Sequence, residues 1–486
     1  MGVSAFSTAC RGGFNRLQEF RDVWLLMIMK QKQVHIVTMG CQMNVYDSEQ
    51  MLRHLASLNY RPTSRLDQAD LILLNTCSIR EKAEHKVYSF LGRLVRMKRL
   101  RPDIIIGVGG CVAQQEGYHL VERAPHIDIV FGTFALGRIA SLVQQVEDQK
   151  KQIVDIDPRG MSEPLYVKEP VFKAERPTAF VTVMQGCDNF CTYCVVPYVR
   201  GRETSRKHEE ILEEVRLLVE NGIREVTLIG QNVNAYGQKK GHGCNFPALL
   251  ERVNGIEGLR RIRFTTSHPK DMSDGLIDAF CRLDKLAPHI HLPVQSGSDR
   301  VLRRMKRGYV RDFYLKKVAK LRKVRPDVAI TSDIIVGFPG EDTVDFEATV
   351  DLVRQVGFDN FFLFKYSDRP NTPAARFSNK VPEPVKRERF STLLDIQGAL
   401  TTKKNKALVG TTQDVLVEGP GKRSPDQLTG RTPCNRIVNF VDGMTRIGQI
   451  IPVRVVQAFS HSLLGHPVGK GHGRNPGENG GMSYAA

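Results

Sequence analysis

Six of the ten cysteines fall into two sets of three, and their spacing limits the chemistry this chain can do. Cys187, Cys191 and Cys194 form a compact C-x-x-x-C-x-x-C within MQGCDNFCTYCVVP. Cys41, Cys77 and Cys111 lie far apart, yet each ends a short apolar run: VHIVTMGC, LILLNTC and DIIIGVGGC. A cubane iron–sulfur cluster offers four irons to cysteine thiolates. Three thiolates per cube leave one iron open to a ligand from outside the protein. Two such triads point to reaction rather than electron storage. Zinc is the rival for the compact set, but a closed zinc site takes four ligands, and His208 sits on the following helix. For the dispersed set the rival is three small buried side chains, since free cysteine is among the most buried residue types. Cys10, Cys244, Cys281 and Cys434 have no spaced partner and read as small buried or surface residues.

The elements that must position these thiols are visible in the hydropathy pattern. From Gln33 to about Val154, short apolar strands at 34–39, 71–75, 104–108 and 127–131 alternate with amphipathic stretches at 47–58, 81–98 and 114–123. Asp47 and Ser48 are placed to cap the first of these helices. Strand–helix alternation predicts an α/β domain, a doubly wound parallel sheet covered by helices. Ligands of such sheets gather beyond the carboxyl ends of the strands. Cys41, Cys77 and Cys111 occupy that edge in successive units, 36 and then 34 residues apart.

Residues 155–175, with Pro158, Pro164 and Pro170, read as a linker. From Arg176 a second alternation places strands at 179–184, 225–229, 261–266, 289–294, 329–336 and 360–366. Six strand–helix units predict a (β/α)6 partial barrel over 176–402, reactive at its strand carboxyl ends. Cys187 directly follows the first of these strands. After a helical segment at 384–407, short strands separated by Gly and Pro predict a small all-β barrel over 403–466. That last segment holds nine Lys or Arg against four Asp or Glu. Residues 1–32 are expected to be a leader, disordered or the product of an upstream start, and 467–486 a disordered tail rich in Gly and Asn.

With 486 residues the chain has room for several cores, and its formal net charge of +18 favours a polyanionic partner, most simply nucleic acid. Basic clusters in GRLVRMKRLR and DRVLRRMKRG could follow phosphates or be solvated helix faces. Arg431, Asn435, Arg436 and Phe440 could contact RNA, although Phe440 could equally be core. The apolar stretch Val23–Met29 is far short of a membrane span and lacks a cleavage pattern for export. Ten cysteines without an export signal imply a reducing compartment, the cytoplasm.

The CDNFCTYC loop resembles that of radical S-adenosylmethionine (SAM) enzymes. The resemblance implies a [4Fe–4S] cluster on Cys187, Cys191 and Cys194, with SAM on its open iron as the source of a 5′-deoxyadenosyl radical. It also implies SAM contacts from Tyr193, from LIGQNV (Gln231, Asn232) and from HLPVQSGS (Gln295, Ser296). Over residues 33 to about 466, MGCQMNVYDSE, NTCSIREKAEHKVYSFLGRL, the cysteine loop and EGPGKRSPDQLTGRTPCNRIVNF occur in the order seen in the methylthiotransferase family.

Membership would make the first segment an auxiliary-cluster domain, with Cys41, Cys77 and Cys111 on a second [4Fe–4S] cluster. It would make the terminal barrel a TRAM domain that binds RNA. The expected reaction is methylthiolation at C2 of N6-dimethylallyladenosine, position 37 of tRNA. One SAM methylates a sulfur at the auxiliary cluster, and a second gives the radical that removes the C2 hydrogen. All six cysteines are then catalytic through their clusters. A flavodoxin- or ferredoxin-type electron donor, a monomeric state and no membrane partner complete the expectation. Alternatives are a ribosomal-protein aspartate or threonylcarbamoyladenosine in tRNA as substrate, or an iron–sulfur RNA-binding regulator.

Overall fold

The computed structural model describes residues 31–78, 81–158, 176–239, 241–421, 426–443 and 445–469. Nearly all of the expected leader, most of the expected linker and nearly all of the expected tail lie outside these residues, and Lys32, expected in the leader, opens the first strand. The first domain is a parallel sheet of β1 (Lys32–Thr38), β2 (Tyr60–Pro62), β3 (Leu71–Thr76), β4 (Ile105–Gly110), β5 (Ile129–Phe131) and β6 (Ile153–Asp155). Its strand order is β2-β1-β3-β4-β5-β6, which reverses direction between β1 and β3. β3 is buried on both faces, which is why its sequence reads as unbroken apolar residues. Leu71 and Leu73 pack with Met51, Leu55 and Val143, whereas Ile72 and Leu74 pack with Val87, Leu91 and Leu94.

Two helices of this domain depart from expectation. The first runs Gln42–Ala56, so Asp47 and Ser48 lie inside it, buried, rather than at its start. Ser48 shares a 2.7 Å hydrogen bond with Thr38, and Asp47 finds its partner in another domain. The helix expected at 114–123 is two short pieces, Cys111–Glu116 and Tyr118–Arg123. Gly117 separates them with φ +52° and ψ −120°, a conformation that fits no helix.

In the middle domain come β7 (Thr178–Thr182), a short antiparallel pair β8 (Met184–Gln185) and β9 (Thr204–Ser205), and then β10 (Glu225–Ile229) and β11 (Arg261–Phe264). β12 (His289–His291), β13 (Ala329–Val336) and β14 (Asn360–Lys365) complete the six expected strands. They form two parallel sheets, β11-β10-β7 and β12-β13-β14. An isolated bridge between Ile262 and Leu286 links them, so the wall is a partial barrel. Its helices share one core with the sheets, including Val226, Leu228, Ile262, Ile290 and Ile330.

The last domain is a closed barrel of β15 (Thr412–Pro420), β16 (Gln427–Arg431), β17 (Ile437–Val441), β18 (Ile450–Ala458) and β19 (Leu463–Pro467). Pro467, where the tail was expected to begin, closes its last strand. The helix Glu383–Lys406 runs across the boundary expected at 402/403. Phe440 is fully buried with Val415, Val438 and Val453, so it is core and cannot stack on a base.

This barrel is fastened to the amino-terminal end of the middle sheet by charged side chains. Glu225 holds Arg261 at 3.2 Å and Arg263 at 2.9 Å. Arg263 donates to the backbone oxygens of Pro433 and Thr432, both at 2.8 Å, and Arg261 to that of Arg431 at 3.1 Å. Arg436 pairs with Asp359 at 2.7 Å, and Arg431 with Glu418 at 3.2 Å. Arg431 also donates to the oxygens of Asn435. Of the residues read from sequence as RNA contacts, Arg436 thus helps hold the barrel on the middle domain, whereas the side chains of Arg431 and Asn435 engage partners within the barrel.

Candidate active site

The dispersed cysteines sit on three neighbouring strands. Cys41 lies just past β1, Cys77 directly follows β3, and Cys111 opens the helix after β4. Adjacent strands lie about 4.8 Å apart, so three consecutive ends bring three thiols into a space the size of one cluster. Cys77 and Cys111 are buried, and Cys41 is partly so. Contact with the Cys111 and Cys41 thiols, together with burial, pushes the Cys77 thiol well above its usual range. The same contacts pull Cys41 down to about 7 and Cys111 to about 6, with the Arg200 guanidinium helping against the cost of burial. The approach is tight: a Cβ on Gly40, whose φ is +124°, would lie 2.2 Å from the Cβ of Cys77.

The compact set is held from two sides. Thr192 donates its amide to Met305 O (3.1 Å) and its hydroxyl to Arg304 O (2.9 Å), tying the loop to the segment after β12. Buried Arg307 reaches from that segment to Cys191 Sγ and to the Tyr193 hydroxyl, each at 3.4 Å, and to Pro293 O at 2.9 Å. On the other side, Gln231 accepts the Gly186 amide at 2.5 Å. Burial pushes Cys194 up to about 12 and also raises Cys187. Gly186 has φ +77°, and a Cβ there would come within 2.1 Å of Arg202 O. Gly186→Ala is therefore expected to cost at least about 1–3 kcal/mol through strain, seen as a lower urea midpoint. An unchanged midpoint would show that the loop can move aside.

One short element joins the two sets. Helix Val196–Val199 follows Cys194 directly, and Val195 and Val199 pack on Cys111. At its end Arg200, 3% exposed, donates to Asp47 at 2.6 Å and to Asn44 Oδ1 at 3.4 Å. The Cys41 thiol donates to that same Asn44 oxygen at 3.4 Å. Cys41 also packs against a cluster of Met43, Tyr46 and Ile229, the last at the carboxyl end of β10. Burial opposes the charge on Arg200, but Asp47 together with Cys111 and Cys41 more than offsets it, and its pKa is raised.

Both triads present thiol donors at strand carboxyl ends, which suits the soft-ligand chemistry of iron–sulfur clusters. In such a cluster each thiol of a triad would cap a different iron. Such a set therefore needs no single-ion focus, and no group of three ligating side chains around one ion position occurs among the described residues. His208, the possible fourth zinc ligand, begins the helix His208–Glu220 and pairs with Glu209 at 2.9 Å.

The residues expected to contact SAM divide into two groups. Tyr193 and Gln231 stand at the cysteine loop, and Gln295 has φ +71° with a buried side-chain oxygen that has no partner. Asn232 and Ser296 are engaged within the protein instead. Asn232 donates to Asp271 (2.7 Å) and accepts the His268 amide, whereas Ser296 Oγ meets Thr349 and the Ser298 amide. The basic clusters divide similarly. Arg300 pairs with Asp342 and Asp345, Arg307 faces the loop, and Lys98 pairs with Asp128, while Arg93, Arg96, Arg99 and Arg303 are exposed. Arg200 and Arg307 escaped the sequence reading.

Three family models match the chain in order: Uncharacterized protein family UPF0004 over 33–132, Radical SAM superfamily over 181–353 and TRAM domain over 406–468. A relative in Desulfosudis oleivorans, named tRNA-2-methylthio-N(6)-dimethylallyladenosine synthase, is 50% identical over 475 residues. The match covers 94% of this chain and all of the relative. Proteins of the same name in Syntrophobacter fumaroxidans and Moorella thermoacetica are 50% and 46% identical. They cover 89% and 91% of this chain and 95% and 100% of their own lengths. Among solved structures, the radical SAM methyltransferase TsrM from Kitasatospora setae, with cobalamin and a [4Fe–4S] cluster bound, superposes with a TM-score of 0.54. That likeness covers 71% of this chain and 74% of the other at 15% identity, and it speaks to the fold.

Proposed function

Because this chain belongs to the tRNA-2-methylthio-N(6)-dimethylallyladenosine synthase family, we propose that it methylthiolates C2 of N6-dimethylallyladenosine at position 37 of tRNA. The observation that carries this reading is the packing of Cys111 on Val195 and Val199, which sets one cysteine of the dispersed set against the short helix that follows the compact set. The radical SAM superfamily implies a [4Fe–4S] cluster and SAM, and Cys187, Cys191 and Cys194 would hold that cluster. Cys41, Cys77 and Cys111 would hold a second. Their convergence on adjacent strand ends and the presence of a cation beside them support that assignment. When bound, these groups supply a carbon radical able to take an unactivated C–H hydrogen and the sulfur to be transferred.

The chain's own residues supply geometry. Arg307 and Gln231 fix the compact loop from opposite sides, and Tyr193 and Gln295 offer contacts to SAM. Asn232 and Ser296 brace the segments behind them. Arg200 fixes the spacing of the two triads, because the helix that carries it begins two residues after Cys194. Orientation matters here because proximity can supply a large share of a catalysed rate. The TRAM domain adds affinity for the RNA. No helix among the described residues is long and apolar enough to cross a membrane. The proposed working state is a cytoplasmic monomer reduced by a flavodoxin- or ferredoxin-type donor.

Nucleoside mass spectrometry of tRNA from a strain lacking this protein tests the reading. The expected result is accumulation of N6-dimethylallyladenosine with no 2-methylthio derivative. Unchanged methylthio-adenosine in that strain would move the substrate to a protein aspartate or to threonylcarbamoyladenosine.

A further inference from the structure

We propose that Phe190 and Tyr198 form a stacking platform, rimmed by Arg202, Lys239 and Lys270, for the nucleotide beside the target base. The inference rests on the tRNA reading above. Phe190 precedes the second cysteine of the compact loop, and its ring is not a cluster ligand. It is nonetheless held at φ +45°, a left-handed conformation that an aromatic residue rarely adopts. Residues kept in such conformations cluster at functional sites.

The Phe190 ring meets Tyr198 edge to face, with centroids 6.4 Å apart and an interplanar angle of 88°. Tyr198 is 43% exposed, although it lies on the helix that separates the two triads. The Arg202 guanidinium lies 5.1 Å from the Phe190 centroid, with its side chain 74% exposed. Two lysines come to the same loop from the carboxyl ends of other strands. Lys270, after β11, donates to Asn189 Oδ1 at 2.6 Å, and Lys239, after β10, pairs with Asp188 at 3.1 Å. Arg202 approaches that same Asp188 at 3.7 Å. Asp271 lies 3.8 Å from Lys270, with its other oxygen taken by Asn232. The rim therefore carries three cations around an exposed Tyr198 and a half-buried Phe190.

Exposed aromatics beside Arg and Lys are the recognition chemistry of single-stranded nucleic acid, in which bases stack and phosphates meet cations. The location also fits. A base whose ring carbon is to react must leave its stack, and its neighbours then lose a stacking partner. A platform at the mouth of the site replaces that partner and holds the loop open during the reaction. A protein loop as occupant would need side-chain pockets, whereas two rings and three cations suit a base and its phosphates.

The test uses the full-length, cluster-reconstituted protein and stem–loop RNAs carrying N6-dimethylallyladenosine, with 2-aminopurine on either the 5′ or the 3′ side of it. On binding the unaltered protein, one of the two probes is expected to be quenched. In Tyr198→Leu and in Phe190→Leu the quenching should disappear and Kd should rise about tenfold. Arg202→Gln should weaken binding and lower the salt slope by about one. Tyr198 lies outside the cysteine loop, so its variant reports even where Phe190→Leu loses iron. Tight RNA binding with neither probe quenched, or quenching that persists in both variants, overturns the platform and leaves the tRNA reading intact. Failure of the unaltered protein to bind either RNA overturns both.

Discussion

Replacing Arg200 by Met is expected to lower stability by about 3–5 kcal/mol, because it leaves Asp47 buried without a countercharge. Asp47 is fully buried, and its partner comes from another domain. The loss therefore falls on the contact between the first two domains. Arg200→Lys should recover part of it, since an ammonium restores the charge but is more strongly hydrated, and so costlier to bury, than the guanidinium whose Nη2 reaches both Asp47 and Asn44. The double variant Arg200→Met with Asp47→Leu should be clearly more stable than Arg200→Met alone, because the uncompensated charge is gone. Urea unfolding of the four proteins decides the matter. If Arg200→Met unfolds at the wild-type midpoint, the ion pair contributes nothing to holding the triads together.

The second large effect concerns the two sets of thiols. A variant with Ala at Cys187, Cys191 and Cys194 should retain about half the iron and sulfide of the wild type, as two separately ligated cubes require. It should cleave no SAM. The complementary variant, with Ala at Cys41, Cys77 and Cys111, should keep the other half of the iron and still cleave SAM under reducing conditions. Its tRNA product should carry no methylthio group. Iron and sulfide assays with chromatography of 5′-deoxyadenosine separate these outcomes. Near-complete loss of iron from either folded variant would mean that the sets do not bind independently.

Much of this was legible in the sequence, for identifiable reasons. β3 and β4 are covered on both faces, so their apolar runs stand out, and the cysteines that end them mark the sheet edge. The six strands of the two parallel sheets of the middle domain were equally visible. What could not be read were partnerships between domains. Asp47 near the start of a helix looks like a cap, and only the fold brings Arg200 to it from 153 residues away. Arg307 lies in a run of basic residues that resembles a solvated face, yet its side chain is buried against Cys191. Arg436 and Phe440 sit in a basic β segment, where composition suggested RNA, but packing assigned one to an ion pair and the other to the core. β2 and β6, at three residues each, are too short to show any periodicity.

The way the terminal barrel is attached has a consequence for how this architecture can diverge. Arg261 and Arg263 grip main-chain oxygens at Arg431, Thr432 and Pro433, so most substitutions at those three positions leave the acceptors in place. These three contacts thus select for the path of the chain, and the Arg436–Asp359 pair is the part of the joint that depends on residue identity. Substitutions on the barrel's outer surface can accumulate without loosening its seat.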